Sequence, residues 1–456
     1  MVANLGKPQI SEKLIDEVKD FIQQGNEQEL GKLLEEMMPA DVADLIEHLD
    51  SDERLFIFKV LEPEGAGDVL VEVEPPVQSR ILEDLDDESL SEIVQELESD
   101  DAADLVGDLP ADRARAIIGS VREDVSQDLE KLLPYPEDTA GGIMGLEYVA
   151  IHADATVRDA IHLIREKREE VENLYHIWVV DDFQRLAGVI SLKDLVLEPG
   201  DRKIREIMNP EVISVHADTD QEEVVHLVKK YDLVNIPVVD DQHRLIGRIT
   251  HDDIIDVIEE ETDEDISLMA GVVNQEITED SPLKISRARL PWLIAGLLGE
   301  LISALVISRF ETSVQRIIAL SFFFPVIMAM GGSTGNQAAT VVVRGLATGD
   351  ISLVKIGKRL LVEMKVALFN GLICGMLLGL IVGLWIADFR LGSVVGVALV
   401  VIVLNASFLG ASVPIALKKL HFDPALGTVP FVATSNDILG LLIYLIFVTS
   451  YLRWIG

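Results

Sequence analysis

The chain has 456 residues, of which 49% are apolar, yet it carries a formal charge of −40. That charge is unevenly placed: from 283 onward there are 14 Lys and Arg against 7 Asp and Glu, a net of +7, whereas residues 1–282 hold 24 against 71, a net of −47. An acidic, soluble-looking front joined to an apolar, mildly basic back excludes a nucleic-acid partner, which needs basic patches, and leaves cations as natural partners. The one cysteine, Cys374, excludes an intrachain disulfide, and the opening MVANLGKPQISEKL lacks the apolar core of a cleavable signal peptide.

From Met38 the chain reads as seven blocks of twelve: MPADVADLIEHL, DSDERLFIFKVL, EPEGAGDVLVEV, EPPVQSRILEDL, DDESLSEIVQEL, ESDDAADLVGDL and PADRARAIIGSV, ending at Val121. Positions 8, 9 and 12 are apolar in every block, as Leu45, Ile46 and Leu49 in the first and Ile93, Val94 and Leu97 in the fifth. Spacings of one and four mark one face of a helix, and Pro, Asp or Glu near the block starts supply helix N-termini. Each block is then a short helix and a turn that cannot bury its stripe alone. Stacking predicts an all-α superhelical domain over 1–136, its polar face covered in carboxylates.

A longer repeat follows. YVAIHADATVRDAIHLIREKREEVENLYHIWVVDDFQRLAGVISLKDLV (148–196) parallels VISVHADTDQEEVVHLVKKYDLVNIPVVDDQHRLIGRITHDDII (212–255). Both predict strand, HAD turn, amphipathic helix, VVDD strand, strand and helix. The shared VVDD-xxRL-xG-x-I-S/T-xxD pattern and the IMNP lead-in at 207–210 resemble a tandem pair of CBS domains, here 137–202 and 203–262, which pack as one α/β module. In that family the Ser/Thr and Asp of the last motif often hold an adenosine ribose. They match Ser191 with Asp194 and Thr250 with Asp253. A cap on the following helix is the equal alternative.

In HDDIIDVIEEETDEDISLMAG (251–271), Asp253, Asp256, Glu260 and Glu264 share one helix face, and no Lys or Arg interrupts between Arg248 and Lys284. Like charges at these spacings destabilise a helix, so the face is either simply solvated or a cation surface. The run VVNQEITEDSPLKIS (272–286) is then expected to complete a connector helix, over 263–286, at the membrane face.

Five apolar runs follow, at about 290–308, 317–343, 360–387, 391–417 and 430–452, each meeting the roughly 20 residues a spanning helix needs. Near their ends, Lys284, Arg287, Arg289, Arg344, Lys355, Lys358, Arg359, Lys418 and Lys419 fall on one side and Arg309, Arg316, Arg390 and Arg453 on the other. Positive charge inside predicts a cytoplasmic N-terminus and an extracellular C-terminus in a plasma membrane. AMGGSTGNQAAT (329–340) suits close helix packing through small residues, and equally a polar path lined by Asn336 and Gln337. FVATSNDILGLLIYLIF (431–447) carries Asp437 in an apolar run, where a carboxylate costs at least ~3 kcal/mol. Pro430 is expected to leave a carbonyl unbonded one turn back. Asp437, Thr434, Ser435 and Asn436 form an all-oxygen set without His or Cys, which suits a hard cation such as Mg²⁺; a structural Asp bonded to a neighbouring helix is the other reading.

The order of these parts resembles the MgtE-type magnesium channels and transporters, along essentially the whole chain. Its signatures are Gly331, Gly332, Gly335, Asn336, Gln337, Ala339 and Thr340; Asp423, Pro424 and Ala425; and Pro430, Ala433, Thr434 and Asp437. Ser333 departs, standing where the family's Asn is expected, which touches only a polar contact beside the path. The resemblance implies a homodimer in the lipid bilayer with one pore, formed mainly by the second and fifth membrane helices. There Asp437 of each subunit would bind hydrated Mg²⁺ with the Ala433 carbonyl, and Asp423 would lie at the cytoplasmic mouth. It also implies closure by cytosolic Mg²⁺ bound at Asp220, Glu222, Asp232, Asp253, Asp256, Glu261, Glu264 and Asp265 with unassigned solenoid carboxylates. ATP at the CBS module would be a further ligand. A CBS-regulated secondary transporter coupled to protons or Na⁺, and a membrane-tethered nucleotide sensor, are the alternatives. Co²⁺, Mn²⁺ and Ni²⁺ also use oxygen sites. No phosphate loop or nucleophile–His constellation suggests an enzyme.

Overall fold

The computed structural model describes residues 10–167, 174–272, 281–348, 351 and 356–455. It divides into two compact units, Met1–Ile258 and Glu259–Gly456.

The first unit opens with α1 (Glu12–Gln24), α2 (Glu27–Glu35), α3 (Pro39–Glu47), α4 (Ser51–Val60), α5 (Pro63–Glu72), α6 (Pro75–Asp84), α7 (Asp87–Val94), α8 (Ser99–Gly107), α9 (Ala111–Ile118) and α10 (Glu123–Leu132). Each twelve-residue block forms one helix, α3 to α9. Pro39, Pro63 and Pro75 stand in first turns, where a missing N–H costs nothing. Asp50 and Glu53 form a reciprocal capping box on α4. Helices two apart in sequence touch, α3 on α5, α5 on α7, α7 on α9 and α4 on α6. The stripe residues merge into one core in which only Leu61, Leu97 and Ile118 keep partial exposure. This is the superhelix that the periodicity predicts.

The two longer repeats follow the same plan. In the first, β1 (Ala150–His152) leads to α11 (Val157–Glu166), β2 (His176–Val180), β3 (Leu186–Ser191) and α12 (Leu192–Leu197). In the second, β4 (Val215–His216) leads to α13 (Gln221–Tyr231), β5 (Ile236–Val239), β6 (Leu245–Ile249) and α14 (His251–Ala270). Each sheet has its first strand parallel to the second and the third antiparallel to it, with a register shift at Val179/Val180 in one and Val238/Val239 in the other. Both irregularities fall on the VVDD motif. α14 runs unbroken through the expected boundary at 262, and residues 273–280 of the expected connector lie outside the described residues.

The second unit contains α15 (Pro282–Arg309), α16 (Glu311–Arg316), α17 (Phe324–Ala347), α18 (Ile356–Ile386), α19 (Phe389–Lys419) and α20 (Thr428–Ile455). Five of its helical stretches are long and apolar enough to cross a membrane: Pro282–Arg309, Ile318–Ala347, Ile356–Ile386, Phe389–Lys419 and Thr428–Ile455. The five predicted runs fall on these, and the protein is a multi-pass membrane protein. Small residues let the backbones meet: a Cβ on Gly396 of α19 would lie 2.5 Å from the Gly375 carbonyl oxygen of α18.

One expectation fails. Pro430 does not free a carbonyl inside a helix, because α20 begins at Thr428 after Gly427 in a left-handed conformation (φ 56°). Pro430 therefore stands in the first turn, whose amides have no helical partners. Interior prolines are Pro291 of α15 and Pro414 of α19; Pro414 deprives the Gly410 carbonyl of its helical amide. Gly410 is the point where α19 meets Gly335 of α17.

Candidate functional site

In the second unit, Asp437 lies in the third turn of α20, half-buried. Its carboxyl is within hydrogen-bonding reach of Glu300 on α15. Asn436, 1% exposed, packs against Gly335 and donates from Nδ2 to the Gly331 carbonyl at 3.4 Å. The Oδ1 atoms of Asn436 and Asn336 are buried with no hydrogen-bond partner among the described residues. Orphaned buried acceptors are rare in folded proteins and call for an explanation, an unseen ion or water among them. Ala433 precedes Asp437 by one turn within continuous helix, so its carbonyl has one lone pair left for a ligand.

Asp423 sits exposed in the α19–α20 turn, its Oδ1 accepting the Ala425 amide at 2.6 Å. The end of α14 joins the same turn. Leu268 O accepts the Gly427 amide at 3.0 Å, and a Cβ on Gly271 would touch both Pro430 and Trp292 at 3.3 Å.

In the first unit, acids from the solenoid and the CBS module converge. Glu98, Asp100 and Glu147 each present an oxygen within 4.8 Å of the others. Ser99 fixes Glu147, donating from its amide at 3.0 Å and from Oγ at 2.9 Å. Gly145 pairs through its backbone with Arg248, and a Cβ there would lie 2.8 Å from Asp100 Oδ2. Any larger residue would have to displace the Asp100 and Glu147 carboxylates. Arg248, 3% exposed, lies 3.5 Å from Glu98. Burial pushes the Glu98 carboxyl up to about 7, against the pull of Arg248. Burial and then the charge of Asp253 push Asp101 to about 7 and raise Asp100 well above its usual range. Burial also raises Asp253, although Thr250 hydrogen bonds oppose this. An all-oxygen group of acids countered by one guanidinium fits a hard divalent cation.

The other predicted residues are placed as follows. Asp220 caps α13, accepting the Glu222 amide at 2.9 Å, and Asp232 ends that helix with φ 51°. Asp256, Glu261, Glu264 and Asp265 lie along α14 after Asp253, and Asp253 meets the solenoid acids Asp100 and Asp101. Ser191 Oγ accepts the Asp194 amide at 3.1 Å and Asp253 Oδ2 accepts the Thr250 amide at 2.7 Å, so both pairs tie down the starts of their helices here. Glu98, Asp100, Asp101, Glu147 and Glu300 were not singled out by the sequence. Glu300 alone had a local signal, as a lone acid in an apolar run.

Residues 324–447 match the family model for a divalent cation transporter, 37–138 that for the MgtE intracellular N domain, and 140–200 and 204–260 that for the CBS domain. The chain is 39% identical over 443 residues to the magnesium transporter MgtE of Thermus thermophilus, covering 96% of this chain and 98% of that one. It is 38% identical over 327 residues to the MgtE of Enterococcus faecalis, covering 72% of each. Among solved structures, the cytosolic domain of the Mg²⁺ channel MgtE in complex with ATP is similar at 36% identity and a TM-score of 0.51, covering 53% of this chain and 99% of that one. The soluble part of a magnesium transporter is similar at 30% identity and a TM-score of 0.50, covering 55% of this chain and 98% of that one.

Proposed function

Because this chain belongs to the MgtE family of magnesium transporters, we propose that it conducts Mg²⁺ passively through a pore that cytosolic Mg²⁺ closes. The observations that support the pore are Asp437 in the third turn of the apolar α20 and two amide oxygens without partners among the described residues, that of Asn436, its neighbour in sequence, and that of Asn336 on α17, whose Gly335 packs against Asn436. Mg²⁺ sheds water reluctantly, so such oxygens suit a hydrated ion held by outer-shell hydrogen bonds. Asp437 supplies charge, the Ala433 carbonyl a further acceptor, and Asp423 a first attraction at the cytoplasmic mouth. A homodimer, with N-termini in the cytoplasm, would present a second Asp437 to the same dication.

Regulation rests on the acid cluster. Bringing Glu98, Asp100, Asp101, Glu147 and Asp253 together against one Arg248 is unfavourable without added positive charge. A dication there favours the docked solenoid and CBS module. Asp220, Glu222, Asp232, Asp256, Glu261, Glu264 and Asp265 would extend the same response along α13 and α14. ATP is proposed at the CBS module near Ser191 and Asp194, on the strength of the relative solved with ATP.

The test is Mg²⁺ uptake in cells lacking other importers. Asp437→Ala is expected to abolish uptake at wild-type expression; wild-type uptake would sink the pore assignment.

A further inference from the structure

Acids of the membrane unit are mostly satisfied by ordinary partners. Glu363 pairs with Arg359 one turn away on α18. Asp388 caps α19 and accepts the Tyr451 hydroxyl at 3.0 Å. Glu311 accepts from Gln315 at 2.8 Å. Glu300 is different: it stands mid-span on α15, and the group it meets is another acid, Asp437. No Lys or Arg acts on Asp437 among the described residues.

Packing sets this meeting independently of charge. Gly299 and Ser303 are the buried residues of α15. A Cβ on Gly299 would fall 1.9 Å from Thr434 Cγ2, one turn before Asp437. Only glycine allows that approach, and it delivers the next residue, Glu300, to Asp437. Ser303, one turn further along the same face and 2% exposed, has an Oγ with no partner among the described residues. Buried hydroxyls normally find one. Two carboxyls and an orphaned hydroxyl on one seam meet no Lys or Arg among the described residues, and they can share acceptor oxygens with a cation and its waters. A hydrated dication brings the missing positive charge.

From this we infer that Glu300 is a second carboxylate of the ion path, acting with Asp437 of the same chain on the permeating dication and setting its apparent affinity. The inference rests on the pore reading above. It adds a charge from the first membrane helix to a path otherwise built from the second and fifth.

Full-length Glu300→Gln, Glu300→Asp and Asp437→Ala proteins are compared at matched expression. Initial Mg²⁺ uptake is measured against external Mg²⁺, and reversal potentials against Na⁺. Glu300→Gln is expected to raise the half-saturating Mg²⁺ at least fivefold, with a smaller change in maximal rate and a loss of Mg²⁺ preference. Glu300→Asp is expected to restore most of both. A merely structural Glu300 would alter yield or maximal rate and leave half-saturation alone, which overturns the inference. If Glu300→Gln fails to fold, Glu300→Ser decides, since it also removes the carboxylate: a raised half-saturation supports the role and an unchanged one refutes it. Asp437→Ala separates the two readings, since loss of transport there with unchanged half-saturation in Glu300→Gln removes only the role of Glu300.

Discussion

Asp100 is the most buried acid of the cluster proposed to bind Mg²⁺ in the first unit. It is 6% exposed, faces Gly145, and has Glu98, Asp101, Glu147 and Asp253 as charged neighbours. Replacing it with Asn keeps the shape and removes the most deeply buried carboxyl of the cluster. In chelator, Asp100→Asn in the isolated 1–258 unit is expected to melt higher, by roughly 2–4 °C for each 1 kcal/mol gained. In Mg²⁺ it should lose most of the ligand-linked stabilisation, which for the parent is about 2.7 kcal/mol at a hundred times Kd. Calorimetry with and without Mg²⁺ checks both. A pH dependence follows from the same atoms. Glu98 and Asp101 titrate near 7 in the fold, above their ordinary 4.5 and 3.8, so the folded unit holds protons that the unfolded chain has released. Stability is then greatest below the ordinary values and is lost as pH rises through about 7. Between pH 5 and 8 in chelator the melting temperature should fall, and saturating Mg²⁺ should flatten the slope by replacing the proton. A chelator melt that rises across that window contradicts the cluster. None of this was legible in the sequence: 48 residues separate Ser99 from Glu147 and 150 separate Glu98 from Arg248, and no local pattern marks such pairs. Glu300 was legible, since the argument that made Asp437 expensive applies equally to a Glu in LPWLIAGLLGELISALVIS.

Elements whose signal is local came through the sequence well. The solenoid helices follow a twelve-residue period because each buries the same three positions, and the CBS strands follow a doubled motif down to the matching irregularities at Val179 and Val238. Helix starts were less legible. Pro430 was expected to open its helix and leave a carbonyl unbonded one turn back, whereas the turn at Gly427 starts α20 two residues earlier and puts Pro430 in a first turn. Pro430→Ala should therefore change stability by less than about 1 kcal/mol, which thermal melting of the solubilised protein measures. Close approach of helices was legible only as glycine content. Gly375 and Gly396 touch backbone to backbone, while Gly296 has nothing within 4 Å of its Cβ position. Gly396→Val must push α18 and α19 apart, and overpacking of this kind typically costs 1–3 kcal/mol. It should lower the melting temperature or abolish expression, with Gly296→Ala as the neutral control. Equal melting of the two variants would refute the tight α18–α19 contact.

At the scale of the molecule, charge separates two ways in which Mg²⁺ could act. A front of net −47 repels itself, and any dication would screen that diffusely. Diffuse screening is shared by KCl, because the Debye length falls from about 10 Å at 0.1 M to 3 Å at 1 M. Binding at built sites is not shared, because a monovalent ion cannot bridge several carboxylates. The two predict different salt behaviour. With site binding, the internal Mg²⁺ concentration that half-closes the channel should change by less than about threefold between 0.1 and 0.3 M KCl, since partly buried charges are screened little. With screening alone, KCl should close the channel by itself. The triple variant Asp253→Asn, Asp256→Asn, Glu261→Gln sharpens the distinction. It removes only three of 71 acids, so a screening response would survive almost intact. Site binding requires that patch recordings show the variant open at internal Mg²⁺ that closes the parent, because a ligand shifts an equilibrium only through its preference for one state. Closure at the parent's concentration would assign the regulation to bulk charge and leave the cluster around Asp100 a structural contact.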